Sequence, residues 1–123
     1  MWLKAIAIAA CLILLSTAAQ AQQVNADQFL EAYAADIPPE LKQQLARKLH
    51  DIQDGLGWAN AALNDRHEEK LFCLPPNLAF ADEQLVAILR DEVKAYPPLG
   101  KHPVGLVLLK GLERVFPCKS TPQ

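Results

Sequence analysis

Leu71-Phe72-Cys73-Leu74-Pro75-Pro76 and, further on, Val115-Phe116-Pro117-Cys118 are the stretches that decide the fold. Each sets a cysteine beside a proline and a phenylalanine, where helical geometry has to stop or start. The segments between and before them carry apolar residues at helical spacing. Between Gln22 and Lys119 there is no Ser or Thr, and Ala, Leu, Glu, Lys and Gln outnumber Val and Ile. Local preference is therefore helical, and no stretch alternates apolar and polar residues as a half-buried strand would. The expected fold is all-α: a compact bundle of four, at most five, helices with one disulfide.

The start of the chain stands apart. Met1-Trp2-Leu3-Lys4 brings one positive charge, Ala5 to Leu15 is an unbroken apolar run, and Ser16 to Ala21 ends in Ala19-Gln20-Ala21. That is the order of a secretory signal peptide. The apolar run is shorter than the roughly 20 residues a membrane-spanning helix needs. Cleavage after Ala21 is expected, leaving residues 22–123 as a single periplasmic domain with no stable membrane association. The rival is lipidation at Cys11 after Ile8-Ala9-Ala10, but Leu12 to Leu15 would then form a strongly apolar mature end. Loss of Lys4 leaves eleven Lys and Arg against fourteen Asp and Glu. Such a mildly acidic chain is no nucleic-acid binder, which needs a concentrated basic face.

Asn25, with Gln28 three residues on, forms a capping-box signature for a first helix over 26–35. Phe29, Leu30 and Tyr33 share its inner face, and Asp36-Ile37-Pro38-Pro39 ends it. A second helix opens near Pro39. Leu41, Leu45, Leu49, Ile52, Leu56, Ala59 and Leu63 then trace one continuous stripe, expected to be buried on its neighbours. Gly55 and Gly57 within it are read as points of close approach by another helix, or else as a kink. The charged run Asp65 to Lys70 ends this helix or lies beyond it. A third helix covers 82–96, its inner face running through Leu85, Ile88, Leu89, Glu92, Val93 and Tyr96. His102-Pro103 starts a fourth, with Val104, Val107, Leu108, Gly111, Leu112 and Val115 inward and Leu106 and Leu109 widening the face. It is the most apolar of the four and is expected at the centre.

After residue 21 the only cysteines are Cys73 and Cys118. In an exported chain an even count of two reads as one disulfide. Such a bond would tie the entry of the third helix to the exit of the fourth. A loop of this length contributes about 4 kcal/mol in the chain-entropy picture. There is no Cys-x-x-Cys, and two cysteines are too few for a zinc site.

An exported chain carrying Phe72-Cys73-Leu74-Pro75-Pro76, an amphipathic segment from Leu85 to the Tyr96-Pro97 step, and a segment from Leu108 to Phe116-Pro117-Cys118 resembles the Rap/Tai family. These are bacterial periplasmic immunity proteins linked to type VI secretion. The small residues Gly55, Gly57, Ala59, Ala61 and Ala62 ahead of the first cysteine fit the same pattern. The first helix does not. The resemblance implies a small helical protein that binds a secreted cell-wall-degrading amidase effector and blocks its active site. Some members act as dimers, so a homodimer is a further expectation.

The chain offers little to chemistry. Ser120 and Thr121 lie in the tail, and paired cysteines are no nucleophiles. His50 and Asp54, at i and i+4, read as a solvated ion pair, since two ligands do not make a metal site. His67-Glu68-Glu69 is not His-Glu-x-x-His, and His102 reads as a helix-start residue. No catalytic residue, metal or cofactor is expected. The candidate partner-binding residues are Trp58, Asp65, Arg66, His67, Glu68 and Glu69. Covered, Trp58 is core; exposed, it is an interface anchor. The charged run would steer encounter. An acid-stress holdase chaperone is the alternative function, and an enzyme relying on His50 or His67 a third.

Overall fold

The computed structural model describes residues 23–119, so the expected signal peptide and its cleavage site, Cys11 and the last four residues lie outside it. The described chain is an all-α bundle: α1 (Ala26–Ala34), α2 (Pro39–Asp65), α3 (Asp82–Ala95), a 3₁₀ helix (Pro97–Lys101) and α4 (Val104–Val115). It contains no strand.

Helix boundaries follow local chemistry. Asn25 and Gln28 form the expected capping box: the Gln28 N–H donates to Asn25 Oδ1 at 2.8 Å and the Asn25 N–H to Gln28 Oε1 at 3.1 Å. Pro39 occupies the first position of α2, where its missing N–H costs nothing. Pro97 and Pro98 convert the end of α3 into a single 3₁₀ turn rather than a simple stop. The carbonyl of His102, which caps this turn, accepts the Ala26 N–H at 3.0 Å, and the Val104 N–H donates to the Val24 carbonyl at 3.2 Å. The starts of α1 and α4 are thereby clasped together. His102 belongs to this link; Pro103, not His102, caps α4.

The core holds Phe29, Leu49, Phe72, Leu85, Val86, Leu89, Val107, Leu108 and Leu112, all essentially without solvent contact. Helix α3 packs on every other element, so the central position expected for α4 belongs at least equally to α3. Three residues of the inner faces expected for α3 and α4 point outward: Tyr96, 59% exposed, Leu106 and Val115. Val86 is buried in their stead.

The glycines exchange roles relative to expectation. A Cβ at Gly55 or Gly57 would meet nothing within 4 Å, and α2 runs unbroken through both. The close approach is at Gly111 of α4, where a Cβ would press on the Ile88 side chain, on Glu92 Cγ at 3.0 Å and on the Ile88 carbonyl at 3.3 Å. The α2 stripe is also less covered than expected. Leu49 is buried, Leu45, Ile52, Leu56 and Leu63 are half-covered, Ala59 is exposed, and Leu41 is 48% exposed.

Cys73 and Cys118 are joined, with their Cα atoms 4.9 Å apart. The Cys73 N–H donates to the Phe116 carbonyl at 2.8 Å, and the Phe80 ring meets Phe116 edge-on at 5.7 Å. Between them the connector turns at Pro75-Pro76-Asn77-Leu78. Asn77, with φ of 62°, takes the third position, which in a type II turn needs a positive φ.

Two stability outcomes follow. Gly55→Ala and Gly57→Ala should each stabilise the protein by up to ~1 kcal/mol, whereas Gly111→Ala should destabilise it by roughly 1–3 kcal/mol. Urea unfolding curves shifting in the same direction for all three would contradict this packing. Replacing both cysteines by alanine should remove about 4 kcal/mol; an unchanged midpoint would mean that the bond contributes nothing.

Candidate functional site

Helix α2, 27 residues long, is the longest element. At 100° per residue its buried side runs through Ala46, Leu49 and Asn60. Trp58 lies on the opposite side and is 76% exposed. This decides between the two readings of Trp58: it is not core. Asp65 ends the helix on the same outer strip, about 10 Å further along the axis at 1.5 Å per residue.

The candidate turn beyond Asp65 is built by helix-capping chemistry. The Glu68 N–H donates to the Leu63 carbonyl at 2.9 Å and the His67 N–H to Asn64 at 3.0 Å. These are the paired bonds of a Schellman ending, which requires a left-handed residue between cap and exit. His67 supplies it with φ of 57°, a conformation costing about 1–2 kcal/mol outside glycine. Arg66 and Glu68 pair at 3.1 Å, and Asp65 through Glu69 are all exposed. The structure thus gathers the sequence-predicted residues at one end of one helix, with Trp58 two turns back from the turn itself.

Asn60 makes this end rigid. Its Nδ2 donates to the Phe72 carbonyl at 2.7 Å, and its Oδ1 accepts the Leu71 N–H at 2.8 Å. One side chain therefore pairs with the connector as a neighbouring strand would, at the two residues that precede Cys73 of the disulfide. Sequence reasoning missed it, although an Asn inside an apolar helical stretch signals side-chain to backbone bonding.

Two further features were not anticipated. His50 pairs through Nε2 with Asp82 Oδ1 at 2.7 Å, not with Asp54, which faces solvent on the outer strip. Beside it lies an open groove of about 580 Å³ lined by Tyr33, Pro39, Lys42, Asp82 and Glu83. The Tyr33 hydroxyl donates to Glu83 Oε1 at 2.6 Å, and Lys42 Nζ sits 4.8 Å from the centre of its ring. A second groove, about 640 Å³ and mostly apolar, separates α2 from the start of α4, with Val24, Leu45, Ile52 and Leu106 in its wall and Lys48 and Asp51 at its rim. Val24 and Leu106 are exposed there.

Among the described residues no group of three or more His, Cys, Asp or Glu side chains is arranged to hold a metal. No described helix is long and apolar enough to cross a membrane. No protein-family model, curated protein or solved structure matches the chain.

The Glu83 hydrogen bond, followed by burial and the Glu83 charge, pushes the Tyr33 phenol up to about 12. Because this lies above the ordinary value near 10, the contact stabilises fully below pH 10. It is lost as pH rises from 10 to 12. Ultraviolet titration should show one phenol ionising near pH 12 and vanishing in Tyr33→Phe. Unfolding measurements across pH 10–12 should show a smaller loss of stability in that variant; equal losses would remove the coupling.

Proposed function

We propose that the protein is a periplasmic immunity protein that binds a secreted cell-wall-degrading amidase effector and occludes its active site, without catalysis of its own. The observation that carries this reading is the outward Trp58. An indole left 76% exposed on a helix pinned by Asn60 gains the protein little in folding. It has the properties of an interface anchor: large apolar area, few rotatable bonds and a single N–H donor. The class of partner comes from the Rap/Tai resemblance of the Phe72–Pro76 and Leu108–Cys118 segments. Asp65, Arg66, His67, Glu68 and Glu69 form the rim beside the anchor.

The holdase alternative has a different support, the half-covered apolar groove between α2 and α4. A holdase would take unrelated unfolded clients whether or not Trp58 is present. An occluding inhibitor takes one folded enzyme and depends on that side chain.

The discriminating experiment exports type VI amidases singly to the periplasm, with and without this protein, and scores lysis. Protection against one amidase is expected, and Trp58→Ala should weaken the complex by at least ~2 kcal/mol, as hot-spot truncations do, with unchanged folding. Protection that survives Trp58→Ala would remove the anchor from the reading, and no protection against any amidase would remove the function.

A further inference from the structure

We propose that the surface covering Trp58 is cationic: a partner protein that offers Lys or Arg side chains around a recess for the indole. This rests on the occluding-binder reading and adds the chemistry by which the partner is chosen. Asp51, Asp54, Trp58 and Asp65 stand at i, i+3, i+7 and i+14 on α2, so at helical spacing they share one outer strip. All four are exposed.

The three carboxylates are unspent in the free protein. Among the described residues the ion pairs are His50–Asp82, Arg66–Glu68, Lys101–Asp27 and Arg114–Glu92. None uses Asp51, Asp54 or Asp65. Arg47 heads the same strip one turn before Asp51, and Arg66, paired with Glu68, follows Asp65; neither of these nor Lys48 reaches within 4 Å of a strip carboxylate, so the strip keeps three carboxylates against one guanidinium. Around the indole the helix is low: Gly55 has open space where a side chain would stand, and Ala61 and Ala62 follow one turn on. A guanidinium approaching there can lie on the indole face and donate to Asp54 at the same time. Cation–π attraction and a charge-assisted hydrogen bond then act on one group.

The same charge pattern disfavours the other occupants. A second copy docked strip to strip would bring together three carboxylates from each copy against one Arg47 from each, a net repulsion, and a nucleic acid or anionic lipid surface would be repelled. Unpaired carboxylates at the edge of an anchor raise the association rate of an oppositely charged partner and make it salt-dependent.

The experiment uses the exported protein, with Trp2→Phe wherever the leader is retained, so that Trp58 is the single tryptophan. Its fluorescence is titrated with tetra-arginine amide and with tetra-glutamate, in the parent and in an Asp51→Asn, Asp54→Asn, Asp65→Asn variant. Tetra-arginine should perturb Trp58 in the parent and several-fold less in the variant, and tetra-glutamate should do nothing. An equal response of parent and variant to tetra-arginine would overturn the proposal. In a second arm, the amidase that the protein protects against should associate about tenfold more slowly with the variant at low salt, with a flatter salt dependence. Unchanged association would also overturn the cationic partner surface while leaving occlusion intact. A tetra-arginine response without binding to any amidase would uphold the cationic surface and remove the amidase instead.

Discussion

How closely α4 can lie on α3 governs the rest of the bundle. At Gly111 the backbone of α4 comes against Ile88 and Glu92, a separation that no side chain at 111 would permit without displacing them. That approach lets Val107, Leu108 and Leu112 interlock with Leu85, Ile88 and Leu89, where neither side keeps appreciable solvent contact. It also draws Glu92 into the interface, where Arg114 meets its charge. A buried carboxylate would be costly alone. The 3₁₀ link turns the chain back from α3 into α4, and beyond their packed segments Phe116 meets Phe80 and Cys118 is bonded to Cys73. The disulfide fastens an arrangement that helix packing has already set.

Much of this frame is legible in the sequence because its signals are local. The Asn25 and Gln28 capping box, Pro39 at a helix start and the prolines beside the cysteines, Pro75 after Cys73 and Pro117 before Cys118, each act within one turn of chain. Long-range facts are not encoded that way. Gly55, Gly57 and Gly111 look alike in a helical pattern, yet only Gly111 faces another helix. Periodicity identifies an apolar face but not what covers it, so the α2 stripe reads as core along its length while Leu41 and Ala59 meet solvent. In the sequence His50 pairs naturally with Asp54, because they share a helix face. Its actual partner, Asp82, lies 32 residues away at the start of α3.

The candidate site shows the same division. The exposure of Trp58 was readable in principle, since a residue directly between Gly57 and Ala59 falls on the opposite side of α2 from Leu49. What could not be read is that α2, which ends at Asp65 where the charged run begins, closes on a left-handed His67, because nothing but the chain's own path places a non-glycine residue there. The reach of Asn60 to Leu71 and Phe72 likewise requires the connector to fold back along the helix, a fact of tertiary structure.

These two halves of α2 bear on how a small bundle can serve as a binder. Its inner side spends Ala46, Leu49 and Asn60 on the core and the connector, and the disulfide constrains the connector directly after the Asn60 bonds. The outer side contributes little to folding, so its residues are free to vary with a partner while the frame stays fixed. Association is costly chiefly where side chains and loops must be ordered on contact. An indole on a helix held at Asn60 and closed by a hydrogen-bonded turn is largely ordered beforehand, so most of the free energy of burying it would appear as affinity. The scaffold therefore needs its rigidity most at the end of α2 that contributes least to the core.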